Sequence, residues 1–203
     1  MRRIETSRCS RRSLIAVVVA GAFSSLTGCL GDFPGSNDAA TEGERTEKTF
    51  PEHPINEPTE TPEGRVCDGP CGMTSSAFPE WNAQLTHEDG RGAFFDTPGC
   101  LVAYHHDPTF YGGLDVPIEN VWVRDFESRE LIDATTAYFV LDYETDRLSE
   151  PMAHNPKPFS DREGAIEYVD SYDDLDENDI VGLDDFGAEQ ANRYRDYPIS
   201  DDS

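Results

Sequence analysis

Aromatic and β-branched residues concentrate in the middle of the chain, between Phe78 and Phe186. In the first half of this region, short runs of alternating apolar and polar residues predict strands, and a longer apolar run that follows a proline predicts a helix. Asp96 or Thr97 precedes that proline and provides an N-cap for the helix. The predicted elements of the first half are strands over 82–87 and 92–96, a helix over 98–106 and a strand over 120–125.

The second half of the region predicts the same order of elements. Ser160 is the predicted N-cap of its helix, and Glu163 three residues later completes a capping box. Both halves therefore have the order ββαβ, which predicts an α+β protein. The predicted elements of the second half are strands over 136–143 and 157–159, a helix over 161–171 and a strand over 179–183.

The two halves also align with each other in sequence. When the chain is shifted so that Phe95 falls on Phe159, Tyr104 falls on Tyr168. An internal repeat produces such a correspondence, although any strand that leads into a capped helix produces part of it. The domain is predicted to span 64–186, with two similar ββαβ units at about 67–127 and 130–186.

The segments on both sides of this domain are polar. Residues 29–63 are rich in Pro, Glu, Thr and Gly and contain few apolar side chains. Such a composition predicts a disordered tether, because too little apolar surface is available to offset the entropy of ordering the chain. Residues 187–203 are predicted to form a loose polar tail.

The first 28 residues have the pattern of an export signal. Five arginines precede an apolar run over 14–23, which is too short to span a bilayer as a helix. The residues around Arg11-Arg12 resemble a twin-arginine signal, and Leu26-Thr27-Gly28-Cys29 has the order of a lipobox. We therefore expect removal of residues 1–28, lipidation of Cys29, and a protein anchored on the extracytoplasmic face of the cell membrane.

The charge of the chain restricts its partners. There are 41 acidic and 16 basic residues, which gives a formal net charge of −25. Repulsion from phosphate groups argues against a nucleic-acid partner. The acidic residues are spread along the whole chain without the spacing of a calcium-binding loop, so adaptation to high salt explains them better than calcium binding does.

Cysteine usage provides the main chemical indication. Apart from Cys9 in the signal and the lipidation site Cys29, the chain contains Cys67, Cys71 and Cys100. Three cysteines cannot all pair within one chain, so at least one is a free thiol or a metal ligand. Cys100 lies in an apolar helical stretch and is interpreted as a buried inert thiol.

Soft donors cluster in one glycine-rich turn. Cys71 and Met73 flank a glycine, and thiolate and thioether donors together select Cu(I). Cys67 is a further candidate ligand, but a Cys67–Cys71 disulfide fits the spacing almost as well. Met152 and His154, in a later loop, are candidates to complete the site, and an incidental surface pair is an equal alternative.

Other chemistries lack their sequence patterns. The chain has no nucleotide-binding glycine loop, no Gly-x-Ser-x-Gly motif and no distinctive carboxylate pair, so it is not expected to be an enzyme. A zinc site is disfavoured because the usual paired Cys-x-x-Cys motifs are missing. A thiol–disulfide enzyme is disfavoured because no Cys-x-x-Cys precedes a helix.

Two blocks of the sequence, together with the lipobox, resemble the NosL family of copper-binding accessory lipoproteins for nitrous oxide reductase. The first block is the triplet Cys71-Gly72-Met73, and the second is the stretch 132–140, followed by Met152 and by 158–162. The resemblance extends over about 67–183. It implies a pair of ββαβ units, Cu(I) as the bound ion, and delivery of that copper to nitrous oxide reductase or another cuproprotein.

The resemblance carries over to individual positions. It implies that Cys71 and Met73 supply sulfur ligands and that Met152 supplies a methionine from the second unit, with His154 as a candidate beside it. Cys67 stands one position further from Cys71 than the family pattern leads us to expect, so the number of thiolates on copper stays open. The implied partners are the copper-receiving enzyme and copper-delivery membrane proteins.

Two function classes therefore follow from the sequence. The first is a lipid-anchored, extracytoplasmic Cu(I) chaperone that delivers copper to a cuproenzyme. The second is a non-catalytic structural or interaction lipoprotein whose fold is stapled by a disulfide. The number of free thiols distinguishes them, because the second class predicts that Cys67 and Cys71 are oxidised.

Overall fold

The computed structural model describes residues 48–198 of the chain. This part contains two antiparallel β-sheets and three α-helices, so the predicted α+β class is confirmed. The predicted signal 1–28, the lipidation site Cys29 and the first part of the tether lie outside the described residues, as do residues 199–203. No helix within the described part is long and apolar enough to cross a lipid bilayer.

The first sheet consists of four strands, β1 (Ala83–His87), β2 (Gly92–Phe95), β3 (Ile118–Arg124) and β4 (Leu131–Asp133). Their order is β2-β1-β3-β4, and all neighbours are antiparallel. The sequence predicted the first three strands, and β4 lengthens the sheet beyond β3. Both faces of β2 are covered, because Phe94 packs against His53 while Phe95 packs against Tyr104. This coverage explains why β2 is buried along its whole length, and β1 beside it in the sheet is buried as well.

The second sheet consists of three strands, β5 (Tyr138–Val140), β6 (Lys157–Phe159) and β7 (Ile180–Val181). Its order is β6-β5-β7, and its neighbours are again antiparallel. The first sheet places β1 between β2 and β3 in the same way. The order ββαβ therefore occurs twice, as predicted, and each unit has its first strand in the centre of its sheet.

The two units each contain one helix, α1 (Pro98–His106) and α2 (Arg162–Val169). The helix α1 has its predicted bounds and begins after Thr97. The helix α2 begins after Asp161, whose carboxylate accepts a hydrogen bond from Gly164 N at 3.0 Å. The prediction of Ser160 as N-cap is therefore wrong, because the side chain that caps the first turn is that of the following residue, Asp161.

A third helix, α3 (Ala188–Arg195), forms where the sequence predicted a loose tail over 187–203. That prediction is wrong for the described part of the segment. Ala191, Tyr194 and Arg195 are spaced so that they share one face of the helix, and all three are buried. The helix packs against α1. Because its short buried face includes an arginine, the hydrophobic pattern that normally indicates a packed helix is weak.

Residues 48–63 also pack on the domain, so the predicted tether over 29–63 is wrong for this part. The His53 side chain is 5% exposed, and its ring stacks on Trp122 with the ring centroids 5.5 Å apart. Its Nε2 donates to Gln84 Oε1 at 2.6 Å. The segment contains many polar residues, but a deeply buried aromatic ring and its hydrogen bonds, together with backbone hydrogen bonds to the hairpin of β1 and β2, hold it on the sheet.

Candidate metal centre

The junction between β2 and α1 holds two buried side chains with the chemistry of metal ligands. After β2 ends, the chain stays extended at Thr97, and the helix begins at the following proline. Asp96 lies in this junction and Cys100 lies in the first turn of α1, and both side chains are fully buried. The strand-to-helix connection therefore brings a carboxylate and a thiol into the interior within five positions of the chain.

A turn that precedes β1 covers this junction. The backbone N–H of Cys67 donates to the carbonyl of Met73 at 2.7 Å and closes the turn. Asp68 N donates to Phe94 O at 2.8 Å, and Phe94 N donates to Asp68 Oδ2 at 2.9 Å, so the turn is attached to the edge of β2. Arg65 Nη2 donates to Asp68 Oδ1 at 2.6 Å and balances the charge of that carboxylate.

Four side chains converge where the turn meets the junction. The sulfur atoms of Cys67, Cys71 and Cys100 and a carboxylate oxygen of Asp96 all lie within 4.8 Å of one another. The Cys71 thiol donates to Asp96 Oδ1 at 3.2 Å, whereas Asp96 Oδ2 is buried without a hydrogen-bond partner in the described part of the chain. Cys71 is half-buried and the other three are buried, so the cluster is open on the Cys71 side.

Gly69 allows the turn to approach the helix. A Cβ atom at this position would lie 3.0 Å from both Cys100 Cβ and Cys100 O, and 3.4 Å from Cys67 Sγ. Two of these atoms belong to the cluster itself and the third is backbone, so none is free to move aside. Glycine is thus needed here because the backbone passes directly over two of the sulfur ligands.

Burial, hydrogen bonds and charge shift the pKa values of the four groups in the cluster in different directions. Burial raises the pKa of the Cys67 thiol well above its ordinary value, and hydrogen bonding with Cys100 raises the pKa of Cys71 to about 12. Burial also acts to raise the pKa of Cys100, but its interactions with the other two thiols, together with Arg195, lower it well below its ordinary value. Burial, followed by the charge on Cys100, raises the pKa of Asp96. Of the three thiols, Cys100 is therefore the one whose surroundings favour the thiolate form.

The donor set favours a soft ion. Thiolate sulfur binds Cu(I) and other thiophilic ions in preference to hard cations such as Mg²⁺ or Ca²⁺. The three sulfur atoms lie close enough together to contact one ion after small side-chain movements. The unpaired carboxylate oxygen of Asp96 is a further polar atom at the same place. The residues present therefore fit a thiolate-bound metal.

Two of the sequence-predicted ligands are in this cluster and a third is next to it. Cys67 and Cys71 both contribute their sulfur atoms. Met73 is half-buried, and its backbone N–H donates to Cys71 Sγ at 3.4 Å. The three cysteines of the described region all have free thiols, including the Cys67 and Cys71 pair for which a disulfide was the alternative.

The other two predicted ligands lie in the loop between β5 and β6. Met152 is 36% exposed and has a positive φ of 61°. His154 Nε2 donates to Arg193 O at 2.9 Å, and its Nδ1 is buried without a hydrogen-bond partner in the described part of the chain. The carbonyl of His154 accepts from Arg195 Nη1 at 3.3 Å. The loop is thus connected to the cluster through Arg195.

Sequence reasoning missed Asp96 and Cys100 as members of the site. The sequence predicts Asp96 only as a helix cap and Cys100 only as an inert thiol in an apolar stretch. Cys100 is buried as predicted, but it is not isolated, because two other thiols face it. One feature of the sequence could have indicated them. Cys100 is an unpaired third cysteine, and it lies four residues after Asp96 at a predicted strand-to-helix junction.

Together, the fold and the cluster define an α+β protein with a thiol-rich candidate metal centre. The sequence model of the NosL family matches residues 58–174, which is more than half of the chain, and the protein therefore belongs to the NosL family. Among curated proteins, none matches the chain. NosL proteins are copper-binding accessory proteins and not a known catalytic family, so the protein has a copper-related accessory function. The matched segment contains all four residues of the cluster and ends before α3.

Proposed function

We propose that this protein binds one Cu(I) ion through the thiolates of Cys67, Cys71 and Cys100 and carries it outside the membrane to a copper enzyme. The observation that carries the proposal is the convergence of three sulfur atoms within 4.8 Å of one another. Three thiolates form a trigonal set of soft donors, and Cu(I), a monovalent d¹⁰ ion, prefers such donors to hard oxygen ligands.

Asp96 is suited to assist the uptake of the ion. Its Oδ1 accepts the hydrogen of the Cys71 thiol at 3.2 Å. When the Cys71 sulfur binds Cu(I), its S–H bond breaks, and the carboxylate is within reach to receive that proton, while the proton of the Cys67 thiol would leave to solvent through the cavity that Cys67 lines. The copper stays monovalent and no electron is transferred. Asp96 would thus hold a proton during loading and return it to the sulfur during release.

The exposure of the cluster supports a carrier role over permanent storage. Cys71 is only half-buried, and the neighbouring Gly72 is exposed. A cavity of about 840 Å³ opens beside the turn and is lined by Cys67, Gly69 and Gly72 among others. An incoming or outgoing ligand would reach the ion from this side, whereas Cys100 holds it from the interior.

The recipient and the location rest on family membership and on the leader sequence. Because the chain belongs to the NosL family, nitrous oxide reductase is the proposed recipient and copper-delivery membrane proteins are the proposed donors. The lipobox supports a lipid anchor at Cys29 on the extracytoplasmic face. Met73 is proposed as a thioether beside the thiolates, and Met152 with His154 as neutral ligands that take part in transfer, because their loop reaches the cluster through Arg195.

Anaerobic titration with Cu(I) against a chromophoric chelator tests the binding proposal. The full chain is used, with Cys9 and Cys29 replaced by Ser so that the three thiols of the cluster are the only ones. The expected result is one tightly held Cu(I) per chain, with affinity reduced by about tenfold or more in Cys67→Ser, Cys71→Ser and Cys100→Ser. Thr74→Ala, an exposed change in the same turn, is the control and should bind like the parent.

Two results would contradict the proposal. The first is a parent protein that binds no Cu(I), and the second is a triple Cys→Ser variant that binds it as tightly as the parent. Counting thiols in the unfolded parent adds a separate check. A count of three is expected, whereas a count of one would support the disulfide-stapled structural lipoprotein instead.

A further inference from the structure

A buried arginine at the end of α3 has no carboxylate partner among the described residues. Arg195 is 6% exposed, and within residues 48–198 no carboxylate lies within ion-pair distance of its guanidinium. Its Nη2 donates to Thr97 Oγ1 at 2.6 Å and to Asn155 Oδ1 at 2.5 Å, and both acceptors are neutral. A buried cation without an anion nearby is strongly unfavourable, so a negatively charged group beside the guanidinium would stabilise it.

The sulfur of Cys100 is in the right place to be that group. Arg195 Nε donates to Cys100 Sγ at 3.0 Å, and both side chains are buried. The approach is made possible by Gly99, where an added Cβ would lie 2.6 Å from Arg195 Nη2 and 2.7 Å from its Cζ. The guanidinium therefore packs against the backbone of α1 at Gly99, next to the Cys100 thiol.

We propose that Arg195 is a positioning residue of the metal centre, which fixes the Cys100 sulfur toward the other two cysteines and compensates the charge of the copper-loaded cluster. The inference rests on the proposed Cu(I) site and adds a residue to it. Three thiolates around one monovalent ion leave two negative charges in the interior, and a guanidinium in direct contact neutralises one of them. Without that charge, a buried trithiolate is costly, and the ion would be held by fewer sulfur atoms.

The position of Arg195 gives the C-terminal helix a function in metal binding. The family match ends at residue 174, whereas α3 begins at Ala188. The guanidinium also contacts the carbonyl of His154, so it joins the loop that carries Met152 to the interior side of the cluster. In this protein, α3 therefore contributes a cation that the family-matched segment does not contain.

Substitution of Arg195 tests the inference in the full chain that lacks Cys9 and Cys29. Arg195→Gln keeps hydrogen-bond donors but removes the charge, whereas Arg195→Lys keeps the charge. Arg193→Gln is the matched control, because Arg193 is on the same helix but exposed. Cu(I) affinity is measured by chelator competition, and the number of copper–sulfur bonds is measured by X-ray absorption.

The expected result is a loss of affinity of about tenfold or more in Arg195→Gln, together with the loss of one copper–sulfur bond. Arg195→Lys should keep three copper–sulfur bonds and lose only a few-fold in affinity, and Arg193→Gln should match the parent. The change in copper–sulfur bonds separates a role in the site from a general loss of stability.

Three results would overturn the inference. Arg195→Gln with unchanged affinity and three copper–sulfur bonds would show that the guanidinium does not support the site. If Arg195→Gln does not fold, Arg195→Lys decides, because a loss of one copper–sulfur bond in that charged variant excludes charge compensation. If the parent itself binds no Cu(I), the proposed function fails and this inference fails with it, whereas failure in the variants alone leaves the proposed function intact.

Discussion

Gly99 and Arg195 are in direct contact, and a Cβ atom added at Gly99 would lie 2.6 Å from the guanidinium nitrogen Nη2. We predict that Gly99→Ala displaces the guanidinium and destabilises the domain by about 1–3 kcal/mol, which is the usual cost of overpacking. Chemical denaturation measures this change. Gly182→Ala is the control, because its added Cβ would meet its nearest neighbour at 3.4 Å. Equal stability of both variants would contradict the prediction.

The second prediction concerns the backbone of the sulfur-rich turn. Gly69→Ala would force the turn away from Cys100, because the added Cβ would lie 3.0 Å from two Cys100 atoms. We expect Cu(I) binding to weaken by about tenfold, since a displaced turn separates the Cys67 and Cys100 sulfur atoms. Chelator competition measures the affinity.

The matched control for that change is Gly72→Asn in the same turn. Gly72 has a φ of 67°, a region that asparagine tolerates better than other non-glycine residues, and no atom lies within 4 Å of its added Cβ. This variant should keep the affinity of the parent. If Gly69→Ala also keeps it, close passage of the turn over the sulfur atoms is not required for binding.

The third prediction tests whether residues 48–63 belong to the folded domain. His53→Ala removes a ring that stacks on Trp122 and a hydrogen bond to Gln84. We expect a loss of about 2–4 kcal/mol in the free energy of unfolding, because a buried ring and a buried polar contact are lost together. His106→Ala, which removes a half-buried imidazole from the end of α1, should cost less. A His53→Ala variant as stable as the parent would mean that the segment is a tether after all.

The fourth prediction concerns acid stability. Burial acts to raise the pKa of Asp125, but hydrogen bonds from Ser128, Ser160 and Glu127 outweigh it and lower that pKa below its ordinary value. A carboxyl group with a lowered pKa stabilises the folded state above its unfolded pKa of about 3.9, and this contribution is lost as the pH falls through the folded pKa.

Asp125→Asn should therefore destabilise the domain by about 1–3 kcal/mol at neutral pH. The difference from the parent should shrink as the pH drops below about 4. Urea denaturation at several pH values measures both effects. Glu130→Gln, which removes an exposed charge from the same loop, is the control and should show a difference near zero throughout. A pH-independent difference for Asp125→Asn would contradict the assignment.

Local sequence patterns were sufficient for most of the secondary structure. The helix α1 matches its predicted bounds, because a proline and a capping position define its start and a long apolar run continues it. The strand β6 also matches its predicted bounds. The start of α2 was wrong by one residue, because the Asp161 side chain, and not that of Ser160, accepts the hydrogen bond from Gly164 N.

The packing of two polar segments on the domain could not be predicted from their composition. Residues 48–63 and α3 both have the composition of loose chain, yet the first inserts His53 into the domain and the second inserts Tyr194 and Arg195. Composition averages over a segment, whereas packing depends on the partners of single residues. Those partners lie far away in the sequence, so no local window contains the information.

By itself, the sequence determined the α+β class, the repeated ββαβ order, the acidic character and the presence of sulfur donors at Cys67, Cys71 and Met73. Only the tertiary structure showed that Cys100 and Asp96 lie next to Cys67 and Cys71, and that the buried guanidinium of Arg195 contacts the Cys100 sulfur. The physical reason is that periodicity and capping act between neighbours in the chain. A metal centre depends on side-chain directions at elements that only the folded sheet and helices bring together.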